Sequence, residues 1–457
     1  MSCNGPGCQP RQHVARPAAG IAENAPAHRS EVDDALPAGV GADDAALYDA
    51  LAGYDPQSNR EEQDWVQAIR QADLVVADSV ARLKDARPDA MVVYRYPLQP
   101  GDNDDRPADA AFAKTCPAYL DCIRLPVPVP GIAPVLCPNV LFASEDHYRL
   151  NAEMLSCPNP RVLLHGNAGV GRSINLCALL VCLIARDRLL GTWADSSGTG
   201  ASLTRPQWPS SFDTVARIVD LPQIGVHVNL YSLATGAVIK FHARDPNSLP
   251  MSVLDRPGVL VLFEQYAYLA RNAPVFSRAR SITKVPVQSA RLEFCRRARP
   301  TTFYMPCPPA PQLHAMAHVV RECSSGGMSV LLDPKCIDAR IDAFGNIPRY
   351  VLTTCAGDDD DNHARRVSAF SRMTGRDLET ALAISDDDRA PPEVSDHVRT
   401  YVVARSGSRP FQVATTKLAN RHVRAQIDER LAFIDDIQRH LPDNDDGFRA
   451  MYEQQQR

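Results

Sequence analysis

The spacing of apolar and polar residues along this chain changes from one segment to the next, and each change marks an element boundary. From Asp64 onward, WVQAIRQADLVVADSVARL combines helical spacing with a short apolar run. AMVVYRY (Ala90 to Tyr96) predicts a strand, and PLQPGDNDDRPAD (Pro97 to Asp109) a polar loop. LDCIRLPVPVPGIAPVL (Leu120 to Leu136) predicts an extended strand running into a proline-rich turn, and Val135 to Leu155 a helix. RVLLH (Arg161 to His165) predicts a strand. Ser173 to Leu190 predicts a helix apolar on nearly every face, which belongs at the centre of a domain. Gly191 to Ser211 reads as loop, and a Pro-Asn break falls near Asp245.

Strand, loop and helix alternate, so the expected class is α/β, a sheet with helices on its faces. RRARPTTFYMPCPPAP, from Arg296, predicts a linker. Beyond it, MSVLLD (Met328 to Asp333) predicts a strand and Lys417 to Leu441 a helix. These suggest a second, C-terminal α/β or α+β domain over 300–457. Residues 1–45, rich in Pro, Ala and Gly, predict a disordered tail. The acidic run Asp358 to Asp361 predicts a solvated loop.

With 457 residues the chain can bury two cores of ordinary size. Net charge is −5 with both signs interspersed, so nothing marks a nucleic-acid surface. The longest apolar run is too short to span a bilayer, and the N-terminus lacks the apolar core of a signal peptide. The thirteen cysteines are scattered without a CxxC pair, which fits buried free thiols in a reducing interior. The expectation is an intracellular protein, cytoplasmic or nuclear, with no membrane and no nucleic-acid partner.

Chemistry concentrates in one stretch, HGNAGVGRS, from His165 to Ser173. A strand ends, a glycine-rich loop turns, and a helix begins. Backbone N–H groups there point at one spot, which suits an anion. Arg172 adds a forked donor that matches phosphate geometry. As a nucleotide P-loop, Gly166, Gly171, Arg172 and Ser173 match G-x-x-x-x-G-K-[ST], with arginine in the lysine position. No apolar strand ending in Asp is found to hold magnesium. As a phosphatase loop, His165, Gly169, Arg172 and Ser173 match H-C-x-x-G-x-x-R-[ST], with Gly166 in the cysteine position.

On those residues the stretch resembles the protein tyrosine and dual-specificity phosphatase superfamily, in particular the degenerate STYX-like pseudophosphatases. VPVPGIA (Val127 to Ala133) is similar to the family's acid-bearing loop, with Val129 in the acid position. RPGVLVLFEQYAYL (Arg256 to Leu269) is similar to its terminal segment, with Val261 replacing the glutamine that positions water. Gly166 and Val261 lie 95 residues apart, which requires an insertion near 191–247 of a phosphatase-like domain covering 50–285.

The resemblance implies a phosphatase-like sheet flanked by helices. The nucleophile, acid and water-positioning group are all replaced, at Gly166, Val129 and Val261, so no catalytic residue and no metal or cofactor is expected. The cradle survives as His165, Gly166, Asn167, Ala168, Gly169, Val170, Gly171, Arg172 and Ser173. It implies a catalytically inactive protein that binds a phosphoprotein, pairs with an active phosphatase, or serves as a scaffold. Two alternatives stay open, a nucleotide-binding P-loop protein or kinase, and a structural protein whose loop binds nothing.

Overall fold

The computed structural model describes residues 50–98, 117–130, 139–185, 212–266, 273–284, 288–323, 330–353 and 399–440, and single positions between 361 and 379. Residues 55, 168, 222–223, 406–407, 413 and 419–420 are excepted. The expected tail at 1–45, and the whole of the loop from Gly191 to Ser211, lie outside the described residues. So does the acidic run, except for Asp361.

The chain is mixed α/β, with two sheets flanked by helices. A short strand, β1 (Gln57–Ser58), leads into helix α1 (Arg60–Gln71). The Asn59 side chain caps that helix by accepting from the Glu62 N–H. A four-stranded sheet follows, in the order β2 (Leu74–Ala77), β3 (Met91–Pro97), β4 (Tyr119–Arg124), β5 (Val140–Ser144). Helix α2 (Val80–Asp85) links its first two strands. Val140–Ser144 falls inside the stretch expected to be helical; the helix, α3 (Glu145–Ser156), begins only after it. The boundary is set by Ser144, whose backbone N–H donates to Nδ1 of His147.

The larger sheet has eight strands, in the order β1-β9-β8-β7-β10-β11-β6-β12. Strand β6 (Arg161–His165) comes first in sequence among its parallel strands and runs into helix α4 (Arg172–Ala185). Strands β7 (Thr214–Leu221), β8 (Gly225–Ser232) and β9 (Val238–Ala243) form an antiparallel meander. They occupy the region expected to be an insertion, yet β7 pairs along its length with β10 (Val259–Gln265). The expected break is present at Asp245, whose carboxylate caps a short 3₁₀ turn. Helix α5 (Met251–Leu254) precedes β10, and β11 (Arg280–Lys284) lies between β10 and β6.

The segment expected to be a linker is structural. Helix α6 (Gln288–Ala298) leads to β12 (Thr301–Tyr304), which pairs in parallel with β6 and buries Phe303 completely. Residues 301–304 thus share a sheet with β6, the strand that leads into the loop. Helices α7 (Ala310–Cys323), α8 (Pro334–Phe344) and α9 (Pro348–Val351) follow. Of the expected strand from Met328, residues 330–332 form a turn and Asp333 caps α8. The hairpin β13 (Arg399–Val403) and β14 (Ala414–Leu418) precedes α10 (Arg421–His440). The late helix therefore starts after Leu418 rather than at Lys417.

Twelve of the fourteen residues of α4 are buried. One core is shared by α4, α1 and α3 with one face of each sheet: Val162, Leu260, Leu262 and Ile282 from the larger, Met91, Val93 and Ile123 from the smaller. The far face of the larger sheet, with Val261 and Phe263, packs on Phe294 and Ala298 of α6. The far face of the smaller sheet packs on α2, α7 and α8. Among the described residues no helix is long and apolar enough to cross a membrane.

Phe303→Ala is expected to cost about 3–5 kcal/mol. A urea titration would then show the transition of the whole sheet shifted to lower denaturant. An unshifted transition would mean that β12 is not part of the unit that carries the loop.

Candidate functional site

Strands β7, β10, β11, β6 and β12 are mutually parallel, so their carboxyl ends share one edge. From β6 the chain crosses by α4 to β7 on one side, and it reaches β6's other side only with β12. That makes β6 the point where the strand order reverses, the place where open α/β sheets form a ligand crevice. The loop HGNAGVGRS lies there.

Three glycines shape the loop, with φ of +146° at Gly166, +81° at Gly169 and +102° at Gly171. Side chains are disfavoured in that region. A Cβ on Gly166 would stand 3.1 Å from the Met305 carbonyl, and one on Gly169 would stand 2.6 Å from Cβ of Arg349. The Arg349 N–H also donates to the Gly169 carbonyl at 3.3 Å. Helix α9 thus rests directly on the loop.

The cradle residues divide by what their side chains touch. Asn167 is buried, and its Oδ1 accepts from the Tyr401 N–H at 3.1 Å and from the Cys307 thiol at 3.5 Å. His165 meets the Tyr401 hydroxyl through Nε2 at 2.9 Å and packs edge-on against Tyr304 and Tyr401. Val170 belongs to the shared core. These three hold the loop in place. Ala168 lies outside the described residues. Gly169, Gly171 and Ser173 are part-exposed, and Arg172 at the start of α4 is 8% exposed.

Beside Ser173 lies a buried polar cluster. The Ser173 hydroxyl is 2.7 Å from the Tyr266 hydroxyl and accepts from Nζ of Lys284 at 2.9 Å. Tyr266 donates to Oε2 of Glu264 at 2.9 Å. Glu264 also faces Lys284 at 3.9 Å and Arg217 at 3.5 Å. The Lys284 ammonium sits 3.6 Å above the Tyr266 ring. Glu264 is 1% exposed and Lys284 7%, so both charges are held away from water. Such charges are costly unless paired.

Burial pushes the Lys284 ammonium down to about 8; Arg172 and Arg349 push the same way, and Glu264 opposes them. Three cationic side chains therefore converge on the loop, from β11, α4 and α9.

Other positions singled out in the sequence fall elsewhere. Val261 is in the middle of β10, fully buried on the face turned away from α4. The structure does not bring it to the loop, because its neighbours Leu260 and Leu262 are the ones that face α4. Val129 is buried in the shared core, and the next residue, Pro130, offers its carbonyl to Arg217 at 3.1 Å. Among the described residues of the expected acid loop, Pro130 touches the polar cluster through its backbone carbonyl.

Glu264, Lys284 and Arg349 went unread in the sequence as site residues. VLVLFEQ carried the signal for the first, an apolar strand ending in a carboxylate, though in glutamate and not aspartate. RSITK and PRYV carry no comparable mark. Compared with known proteins, the chain matches no family model, no curated protein and no solved structure.

Two outcomes follow from this geometry. Gly169→Ala is expected to lower stability by about 1–3 kcal/mol, read as a drop in melting temperature, because both the positive φ and the Arg349 contact resist a methyl. Lys284→Met is expected to raise the melting temperature at pH 7. In the folded chain Lys284 releases its proton near pH 8, whereas unfolded it holds one to about 10.5. Native stability thus carries a penalty of about 3 kcal/mol below pH 8 that fades as pH rises toward 10.5. The melting temperatures of mutant and parent should converge across that window. A gap that is constant with pH would contradict the assignment.

Proposed function

We propose that the loop from Gly166 to Ser173 binds a phosphate group without turning it over, and that the ligand is a nucleotide or another polyphosphate. The observation that carries this reading is the convergence of Ser173 and Glu264 on the Tyr266 hydroxyl and the Lys284 ammonium, at the reversal point of the sheet. A P-loop serine and a carboxylate at the end of an apolar strand are the partners that a phosphate chain and its counter-cation need. Arg172, Lys284 and Arg349 supply positive charge for more than one phosphate.

Binding without chemistry is the expectation on this reading. Gly166 offers no nucleophile. Glu264 is engaged by Tyr266, Arg217 and Lys284, so it is not placed to activate a water.

The phosphatase-like reading uses the same loop and the same Arg172, with a phosphorylated protein as ligand. One observation favours it, the contact of Arg217 with the Pro130 carbonyl, which keeps the expected acid-loop segment near the site. The position of Val261 weighs against it.

The test is a thermal-shift titration with tungstate, tripolyphosphate, ATP and a phosphotyrosine peptide, since a ligand selective for the native state stabilises it. A shift of a few degrees with tripolyphosphate and ATP is expected. Arg172→Ala should weaken that binding by about tenfold or more, the effect of removing a charge-assisted donor. A shift with the phosphopeptide alone would favour the phosphatase-like reading, and no shift with any ligand would leave the loop a structural turn.

A further inference from the structure

A P-loop holds magnesium between its serine or threonine hydroxyl and the carboxylate at the end of a neighbouring strand. In this chain the corresponding groups are Ser173 and Glu264. They do not fit that role, because the Lys284 ammonium lies against both, 2.9 Å from the hydroxyl and 3.9 Å from the carboxylate. Glu264 is further committed to Arg217 and to the Tyr266 hydroxyl. A divalent cation between the same two groups would stand within a few ångströms of the ammonium, where like charges repel strongly in a buried setting.

We infer that Lys284 is a built-in counter-cation in place of the metal, so that the loop binds a polyphosphate independently of magnesium. This rests on the proposed phosphate-binding function and deepens it.

Three structural facts support the substitution. Lys284 ends β11, the strand paired directly with β6, so its stem is anchored in the sheet beside the loop. Its side chain is 8% exposed, leaving the ammonium little freedom to swing into water. The cation–π contact with Tyr266 at 3.6 Å fixes the head from a further direction. A tethered ammonium carries one charge where magnesium carries two. Arg172 occupies the usual lysine position, and Arg349 on α9 faces the same site. Together they supply the remaining positive charge that a free polyphosphate requires.

Among the described residues several groups act on the ammonium, and Cys177 joins those that favour its charge. Glu264 attracts it, the Ser173 hydroxyl accepts from it, the Tyr266 ring stacks on it, and Arg172 and Arg349 repel it. An anion bound among the three cations relieves that repulsion, which couples occupancy of the loop to the protonated state of Lys284.

The experiment is isothermal titration of the full chain with tripolyphosphate and with ATP, once in excess EDTA and once in excess magnesium. Dissociation constants that agree within about threefold between the two buffers are expected. Lys284→Asn should weaken binding in EDTA by about tenfold or more, and magnesium should restore part of the loss, because the metal can then reach Ser173 and Glu264. Binding that appears only with magnesium in the parent chain overturns the inference and leaves the phosphate-binding function standing. Binding in neither buffer, or binding unaffected by Arg172→Ala, removes that function and this inference with it. The comparison of buffers uses the unmodified chain, so it decides the matter even if Lys284→Asn fails to fold.

Discussion

Helix α4 has almost no polar side, and that constraint organises the rest of the molecule. A helix of this kind cannot rest on one sheet with its back to water; it must be enclosed. Here the larger sheet covers one side, and the smaller sheet, α1 and α3 cover the other. Asn151 of α3 and Asn175 of α4 exchange amide hydrogen bonds at 2.8 and 3.1 Å, a polar link between two of the enclosed helices. The enclosure fixes the helix axis, and with it the direction in which the first turn presents its N–H groups, Arg172 and Ser173. The loop is thus positioned by burial far from it.

Much of this was legible where the local period is strong. RVLLH and AMVVYRY alternate or run apolar over the length of a strand, and both are strands. The apolar helix after the loop is present and central. Legibility failed where the deciding contact is distant in sequence. TTFY lies between Pro300 and Pro306 and has too few residues to show a period. Its identity as β12 comes from pairing with β6, well over a hundred residues earlier. VLFAS runs straight into EDHYRL, and only the Ser144–His147 contact separates strand from helix. The candidate site divides in the same way. The glycine loop and Arg172 are contiguous and could be read. Glu264, Lys284 and Arg349 meet it through strand order and through the docking of α9, which no local pattern encodes.

The polar cluster also accounts for Glu62 on α1. Burial pushes its carboxyl up, the Tyr231 hydroxyl donates to it at 2.9 Å, and the charge of Arg217 bears on it. Arg217 therefore stands between two carboxylates, Glu62 and Glu264, in a region closed to water. Such an arrangement stabilises little in itself. It links β7 by side chains to α1 and to β10, whose backbone ladder with β7 runs toward the crevice.

The strand order carries a consequence for how the protein is made. β6 emerges from the ribosome before either of its sheet neighbours, β11 and β12, and α4 emerges before six of the eight strands of the larger sheet that shields it. Until β11 is complete at residue 284, β6 lacks a neighbour in the larger sheet and the face of α4 turned to that sheet is incompletely covered. Contacts this remote close slowly, and the waiting surface is open to aggregation. The feature that places the loop at the centre of the finished sheet thus delays the burial of apolar surface in the nascent chain.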